Sequence, residues 1–107
     1  MAEIQIPFKE GFKFPLLDGV KICTSRTKRM GKEGDTFWAF GQQFAIERIH
    51  HIPLAAVVPL WKEEGCLSAD DFVAVWNAIH PRKGYLPDQL VYLHWFRKLA
   101  YGVNLIR

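Results

Sequence analysis

One stretch of the chain carries a helical period long enough to decide its own structure. Phe72, Val75, Trp76 and Ile79 fall at i, i+3, i+4 and i+7, the apolar face of a helix that must pack on something else. Ser68, followed three residues later by Asp71, opens the stretch as a capping box does, the hydroxyl accepting from a first-turn amide while the acid reaches back. Pro81 stops it, because proline cannot donate to the helical ladder. The spacing predicts a helix over about 69–80. Other apolar runs are short and punctuated by Gly or Pro, so they read as strands, turns and single helical turns. One amphipathic helix among short strands gives an α+β fold with a small, partly closed sheet as its core.

The strands are read from their alternation. Ile4, Ile6, Phe8, Phe12 and Phe14 alternate loosely over residues 2–14, but Pro7 and Gly11 break the run, so a short edge strand and an irregular segment are expected. Pro15 is expected at the first position of a short helix through Leu16, Leu17 and Asp18, ended by Gly19. Residues 21–26 alternate as a half-buried strand, and 27–35 form a basic loop with turns at Gly31 and Gly34. Runs 36–40 and 44–49 are expected to pair as a hairpin across Gly41-Gln42-Gln43. A helical turn starting at Pro53 is expected within 53–61, and a buried strand over 90–96. From Arg97 onward the chain reads as either a last strand or a loose end.

Composition bounds the function. The 107 residues suit one domain, 1–107, and half of them are hydrophobic, enough for a core. A net charge of +3 permits contact with nucleic acid without demanding it. The two cysteines, Cys23 and Cys66, form no CxxC, and His50, His51, His80 and His94 show no zinc-ligand spacing, so neither metal nor cofactor is expected. The apolar run 52–61 contains Pro53 and Pro59 and is far too short to span a bilayer. A soluble, cytoplasmic protein, monomeric and with reduced thiols, is the expectation.

The charge is placed unevenly. Lys21, Arg26, Lys28, Arg29 and Lys32 crowd into residues 19–35 beside Cys23, Thr24, Ser25 and Thr27. A buried cation needs a partner, so a structural segment has little use for this mixture, whereas a site that holds an anion or activates a hydroxyl does. On a regular strand Lys21, Cys23 and Ser25 point one way and Ile22, Thr24 and Arg26 the other. Lys21 and Thr24 can therefore act together only at a bulge or a strand end.

Leu16-Leu17-Asp18-Gly19-Val20-Lys21 followed by Thr24 and Arg26 resembles the G-x-K-x-x-T-x-R opening of the ASCH domain family, small β-barrels of PUA-like fold. Gly34-Asp35 resembles that family's G-D element, and Glu63-Glu64-Gly65-Cys66 with Asp71-Phe72 and Trp76 its E-G-F segment and helix. Val91-Tyr92-Leu93-His94-Trp95-Phe96 resembles its terminal strand, so the likeness spans about residues 8–98. Some small members are amidohydrolases that deacetylate N4-acetylcytidine with a lysine, a threonine and a glutamate. The resemblance implies these roles for Lys21, Thr24 and Glu64. Glu63 stands beside Glu64, and Gly65-Cys66 departs from the family's aromatic, so the choice of acid is open.

In that chemistry Thr24 attacks the acetyl carbonyl, Lys21 serves as base if neutral, and Glu64 binds or protonates the departing amine. Trp38, Phe40, Trp61 or Tyr85 would stack on the base. Two other readings stand beside it. In one, Lys21, Arg26, Lys28, Arg29, Lys32, Arg82 and Lys83 line a basic cleft of an RNA-binding module; in the other, that cleft belongs to a metal-independent ribonuclease. The partner expected is a modified nucleoside or RNA. Each residue also has a plain structural reading, Lys21 as a surface cation, Thr24 as a strand residue, Glu64 as solvated charge, and Asp35 as a turn former.

Overall fold

A computed structural model describes residues 2–100 of the chain. Four strands, β1 (Cys23–Arg26), β2 (Thr36–Ala39), β3 (Gln42–Pro53) and β4 (Leu90–Lys98), form one antiparallel sheet. Three helices accompany it: α1 (Lys13–Leu17), α2 (Leu54–Val57) and α3 (Ala69–Ile79). The strand order β1-β4-β3-β2 makes a curled half-barrel, with β1 at one edge and β2 at the other. The α+β class read from the sequence is the class observed.

The helix over 69–80 is α3, with Ser68 as its N-cap accepting from the Asp71 amide at 3.0 Å. The Asp71 carboxylate accepts in turn from the Leu67 amide at 2.8 Å, one residue beyond the reciprocal partner of a capping box. Phe72 and Trp76 are the buried members of its apolar face. They join Cys23, Leu54, Val57, Cys66, Val91 and Leu93 in a core on one side of the sheet. Two such buried aromatics contribute about 1.5–3 kcal/mol each. A second core, of Ile6, Leu16, Phe37, Phe44, Ile46 and Phe96, fills the other side. Phe37 stacks on Phe44 with centroids 5.3 Å apart, and Phe96 meets both edge-on.

Strand β3 serves both cores because it carries a bulge. Ile46 pairs with Phe96 and Arg48 with Trp95, leaving Glu47 unmatched. The extra residue puts Ile46 on the same face as Ile49, which opposes His94, and the sheet bends there.

Several boundaries differ from the alternation reading. Residues 2–14 form no edge strand: Glu3 makes an isolated bridge to Thr36, after which Pro7, lacking an N–H, leaves the ladder. The short helix begins at Lys13 after a 3-10 turn, so Pro15 lies inside its first turn, where no amide donor is required. Gly19, at φ 80°, then reverses the chain, and the Pro15 carbonyl accepts from both Val20 and Lys21. The hairpin turns on Phe40-Gly41, not on Gly41-Gln42-Gln43, because Ala39 already pairs with Gln42. Both turn residues have positive φ, 52° and 81°, the twist that suits a two-residue hairpin, and Phe40 accepts it at some strain. Pro53 precedes α2 as its N-cap residue. Arg97 and Lys98 continue β4, while residues 101–107 of the expected tail lie outside the described residues. Among the described residues no helix is long and apolar enough to cross a membrane.

Candidate active site

The strand expected over 21–26 begins only at Cys23, and that late start builds the site. Lys21 and Ile22 are held elsewhere: the Lys21 amide donates to Pro15, and the amides of Ile22 and Cys23 both donate to the Glu63 carbonyl. Lys21 is thus on the approach to an edge strand, free of the alternation that would turn it from Thr24. The start of β1 thus falls between Lys21 and Thr24.

The turn carrying Glu63 and Glu64 is pressed onto Lys21. Gly65 has φ 86°, and a Cβ on it would stand 2.8 Å from the Lys21 Cβ. No other residue permits both that backbone and that approach. The contact distinguishes the two acids. Glu63 contributes its carbonyl to the strand start, while Glu64 turns inward, buried at 5% exposure against 2% for Lys21. Lys21 Nζ donates to the Glu64 carboxylate at 3.2 Å, to the Glu64 carbonyl at 2.7 Å and to the Cys23 carbonyl at 2.8 Å. Three acceptors use all three donors of an ammonium, and a neutral amine would leave one of them unmet. Phe12 lies over the same nitrogen, 4.6 Å from ring centroid to Nζ.

Ser25 completes the set. Its hydroxyl donates to Glu64 Oε2 at 2.5 Å, so each carboxylate oxygen has its own partner. On the opposite strand face Thr24 is 4% exposed, and its Oγ1 accepts from Arg26 Nε at 3.1 Å. Arg26 is fixed by the Pro7 carbonyl at 2.7 Å and by the ring of Phe8 at 4.9 Å. Burial draws its guanidinium below the ordinary arginine range, an effect the charge of Glu64 opposes.

These groups line one cavity of about 520 Å³, a volume that fits a small-molecule ligand. Lys21, Thr24, Ser25, Arg26 and Glu64 supply its polar wall. Phe8 and Phe12 from the N-terminal segment, with Phe72, Val75, Trp76 and Ile79 from α3, supply the apolar wall. His80 stacks on Trp76 at 4.1 Å and stands at the rim with Thr27 and Lys28. Thr27 and His80 also border an adjoining depression lined by Arg82 and Lys83.

The other singled-out residues lie elsewhere. Arg29 bonds the Gly31 carbonyl in the exposed loop, and the Lys32 amide donates to Asp35; neither side chain lines the cavity. Trp38 is exposed on β2, at the sheet edge opposite β1. Tyr85 and Trp61 pack against the core beside α3, and Phe40 against the other core. Asp35 serves the turn, its carboxylate accepting from Lys32 and Ala2, and those amides hold it below the ordinary carboxylate range.

Neither thiol is prepared for attack. Burial pushes Cys66 up to about 11 and pushes Cys23 up as well, the latter with help from Glu64. Both cysteines are free. His94, fully buried, receives the Met30 amide on Nε2 at 3.0 Å and gives its Nδ1 proton to the Thr24 carbonyl at 3.2 Å. These partners assign the neutral tautomer, and burial keeps the ring below the ordinary histidine range. His94 therefore fixes the backbone of Thr24 and of Met30 in the basic loop without entering the cavity.

Residue-by-residue reading missed Ser25, Phe8 and Phe12 as parts of the site. Ser25 stood in the basic segment as one hydroxyl among several, with nothing local to link it to an acid 39 residues away.

The sequence matches no protein-family model and no curated protein. The fold is similar to that in the crystal structure of hypothetical protein PH0355, with a TM-score of 0.65 over 92% of this chain and 98% of that one. The two are 14% identical, and at that distance the likeness shows a shared fold alone.

Proposed function

We propose that the chain is an ASCH-type domain acting as an amidohydrolase, removing the acetyl group from the exocyclic amine of N4-acetylcytidine. The observation that carries this reading is the meeting of Lys21, Thr24 and Glu64, all at least 95% buried, on the wall of one ligand-sized cavity. A buried ion pair at 3.2 Å gives little net stability, so its presence beside a cavity favours a chemical use.

In this reading Lys21, which donates to three acceptors, acts as the cation and Glu64 as the proton carrier. Thr24 Oγ1 adds to the acetyl carbon, and its proton passes to Glu64. Arg26 and Lys21 balance the oxyanion of the tetrahedral intermediate. Collapse breaks the C–N4 bond as Glu64 returns the proton to the amine, freeing cytidine and leaving an acetyl ester on Thr24. Water, deprotonated by Glu64, cleaves the ester; the proton returns to Thr24 and acetate departs. The apolar wall of Phe8, Phe72 and Trp76 holds the planar base and excludes water.

A second reading has its own observation. Arg26 and Lys28 on the cavity and Arg82 and Lys83 on the adjoining depression make a basic track joined at Thr27 and His80, which suits an RNA strand. One experiment separates the two. Protein incubated with N4-acetylcytidine yields cytidine and acetate, read by chromatography, and Thr24→Ala abolishes the product while keeping the fold. Absence of turnover with salt-sensitive RNA binding would favour the binding module, and loss of intact RNA a ribonuclease.

A further inference from the structure

We infer that Ser25 is a positioning residue for the reaction: it clamps the Glu64 carboxylate in the orientation from which that group exchanges protons with substrate. This rests on the amidohydrolase reading and assigns a role that the ASCH resemblance does not give.

Glu64 sits at the tip of a tight turn, and a glutamate has three side-chain torsions to fix. Lys21 holds Oε1 at 3.2 Å, a long contact and the weakest of the three bonds that Nζ makes. One point of attachment leaves the carboxylate able to swing about it. Ser25 supplies the second point, at 2.5 Å to Oε2, in the range of hydroxyl-to-carboxylate bonds strengthened by charge. Two partners on two oxygens fix the plane of the group.

Ser25 is itself immobile. It lies on β1 between Thr24 and Arg26, opposite Leu93 of β4, and is 8% exposed. By strand alternation it shares a face with fully buried Cys23, and it reaches Glu64 Oε2 from the sheet while Lys21 holds Oε1. A serine also has one χ angle, so holding the acid costs little side-chain entropy.

The test compares wild type, Ser25→Ala and Ser25→Thr in N4-acetylcytidine hydrolysis. The inference expects kcat of Ser25→Ala to fall on the order of 10–100-fold with KM nearly unchanged. Ser25→Thr keeps the hydroxyl and should recover most of the rate. In the proton spectrum of wild type, a downfield exchangeable resonance should be present and should vanish in Ser25→Ala and in Glu64→Gln. Wild-type turnover that persists unchanged in Ser25→Ala, or a wild type without that resonance, overturns the clamp alone. An acetyl adduct mapped to Ser25 in place of Thr24 overturns it too, because the serine would then be the nucleophile. No turnover by wild type overturns the amidohydrolase reading, and the role of Ser25 falls with it.

Discussion

Replacing Lys21 by Met tests whether the buried ion pair is as desolvated as its geometry implies. Both side chains are nearly inaccessible, with 2% and 6% exposure, so neither can recover water when its partner is lost. Lys21→Met leaves Glu64 with Ser25 as its remaining side-chain donor. Glu64→Leu leaves the ammonium with two carbonyls, those of Cys23 and Glu64. Each single change should cost about 3–5 kcal/mol, the usual penalty for an uncompensated buried charge. That is a large part of the roughly 5–15 kcal/mol that stabilises a domain. The double variant Lys21→Met/Glu64→Leu should regain most of the loss. Removing both charges relieves a desolvation cost worth about 1–4 kcal/mol, against about 1–3 kcal/mol for the Ser25 hydroxyl left without an acceptor. The assay is urea unfolding followed by tryptophan fluorescence and circular dichroism. With m of about 1–3 kcal/mol per M, each single variant should lose about 1–5 M in midpoint, and the double variant far less than the sum. Additive losses, or singles within about 1 kcal/mol of wild type, would refute the picture of a dry pair.

Two further outcomes follow from the geometry. Gly65→Ala should destabilise by about 2–4 kcal/mol, since the positive φ costs about 1 kcal/mol and forcing Lys21 aside adds about 1–3 kcal/mol. Gly19→Ala, at a similar φ with open space around it, should show the first cost alone in the same urea titration. His94 gives a pH dependence. Its ring is held neutral in the fold, whereas the unfolded chain takes up the proton near pH 6.5, so stability is complete above that pH and falls as pH drops through it. The slope should approach about 1.4 kcal/mol per pH unit, read from urea midpoints between pH 7.5 and 5, and should flatten in His94→Asn.

The class of fold was legible because α3 announces itself by period, cap and stop. An irregularity between Lys21 and Thr24 was legible as a demand of alternation, and β1 does start late, at Cys23, with both residues on one cavity. What alternation misjudged were positions where long-range hydrogen bonds override it. The Pro15 and Glu63 carbonyls capture the amides of residues 21–23, and Phe40 takes a positive φ in the two-residue turn between paired Ala39 and Gln42. The choice between Glu63 and Glu64 was illegible for a related reason. It depends on how closely Gly65 lies against the Lys21 stem, a distance no local pattern encodes. Ser25 was hidden by the same separation.

The strand order carries a consequence for how the protein is made. The strand that bears Thr24 and Ser25 joins the sheet through β4 alone, which occupies Leu90–Lys98. A nascent chain therefore cannot build this wall of its cavity when residues 21–26 leave the ribosome. It must wait until more than 60 further residues have followed, by which time β2 and β3 can already have closed their hairpin (Cys23 opposite Trp95). During that interval a short edge strand, a lysine and a glutamate that are later dry, and the apolar face of α3 all remain in water. Closure by β4 joins late and distant partners, at the entropic cost that slows such topologies.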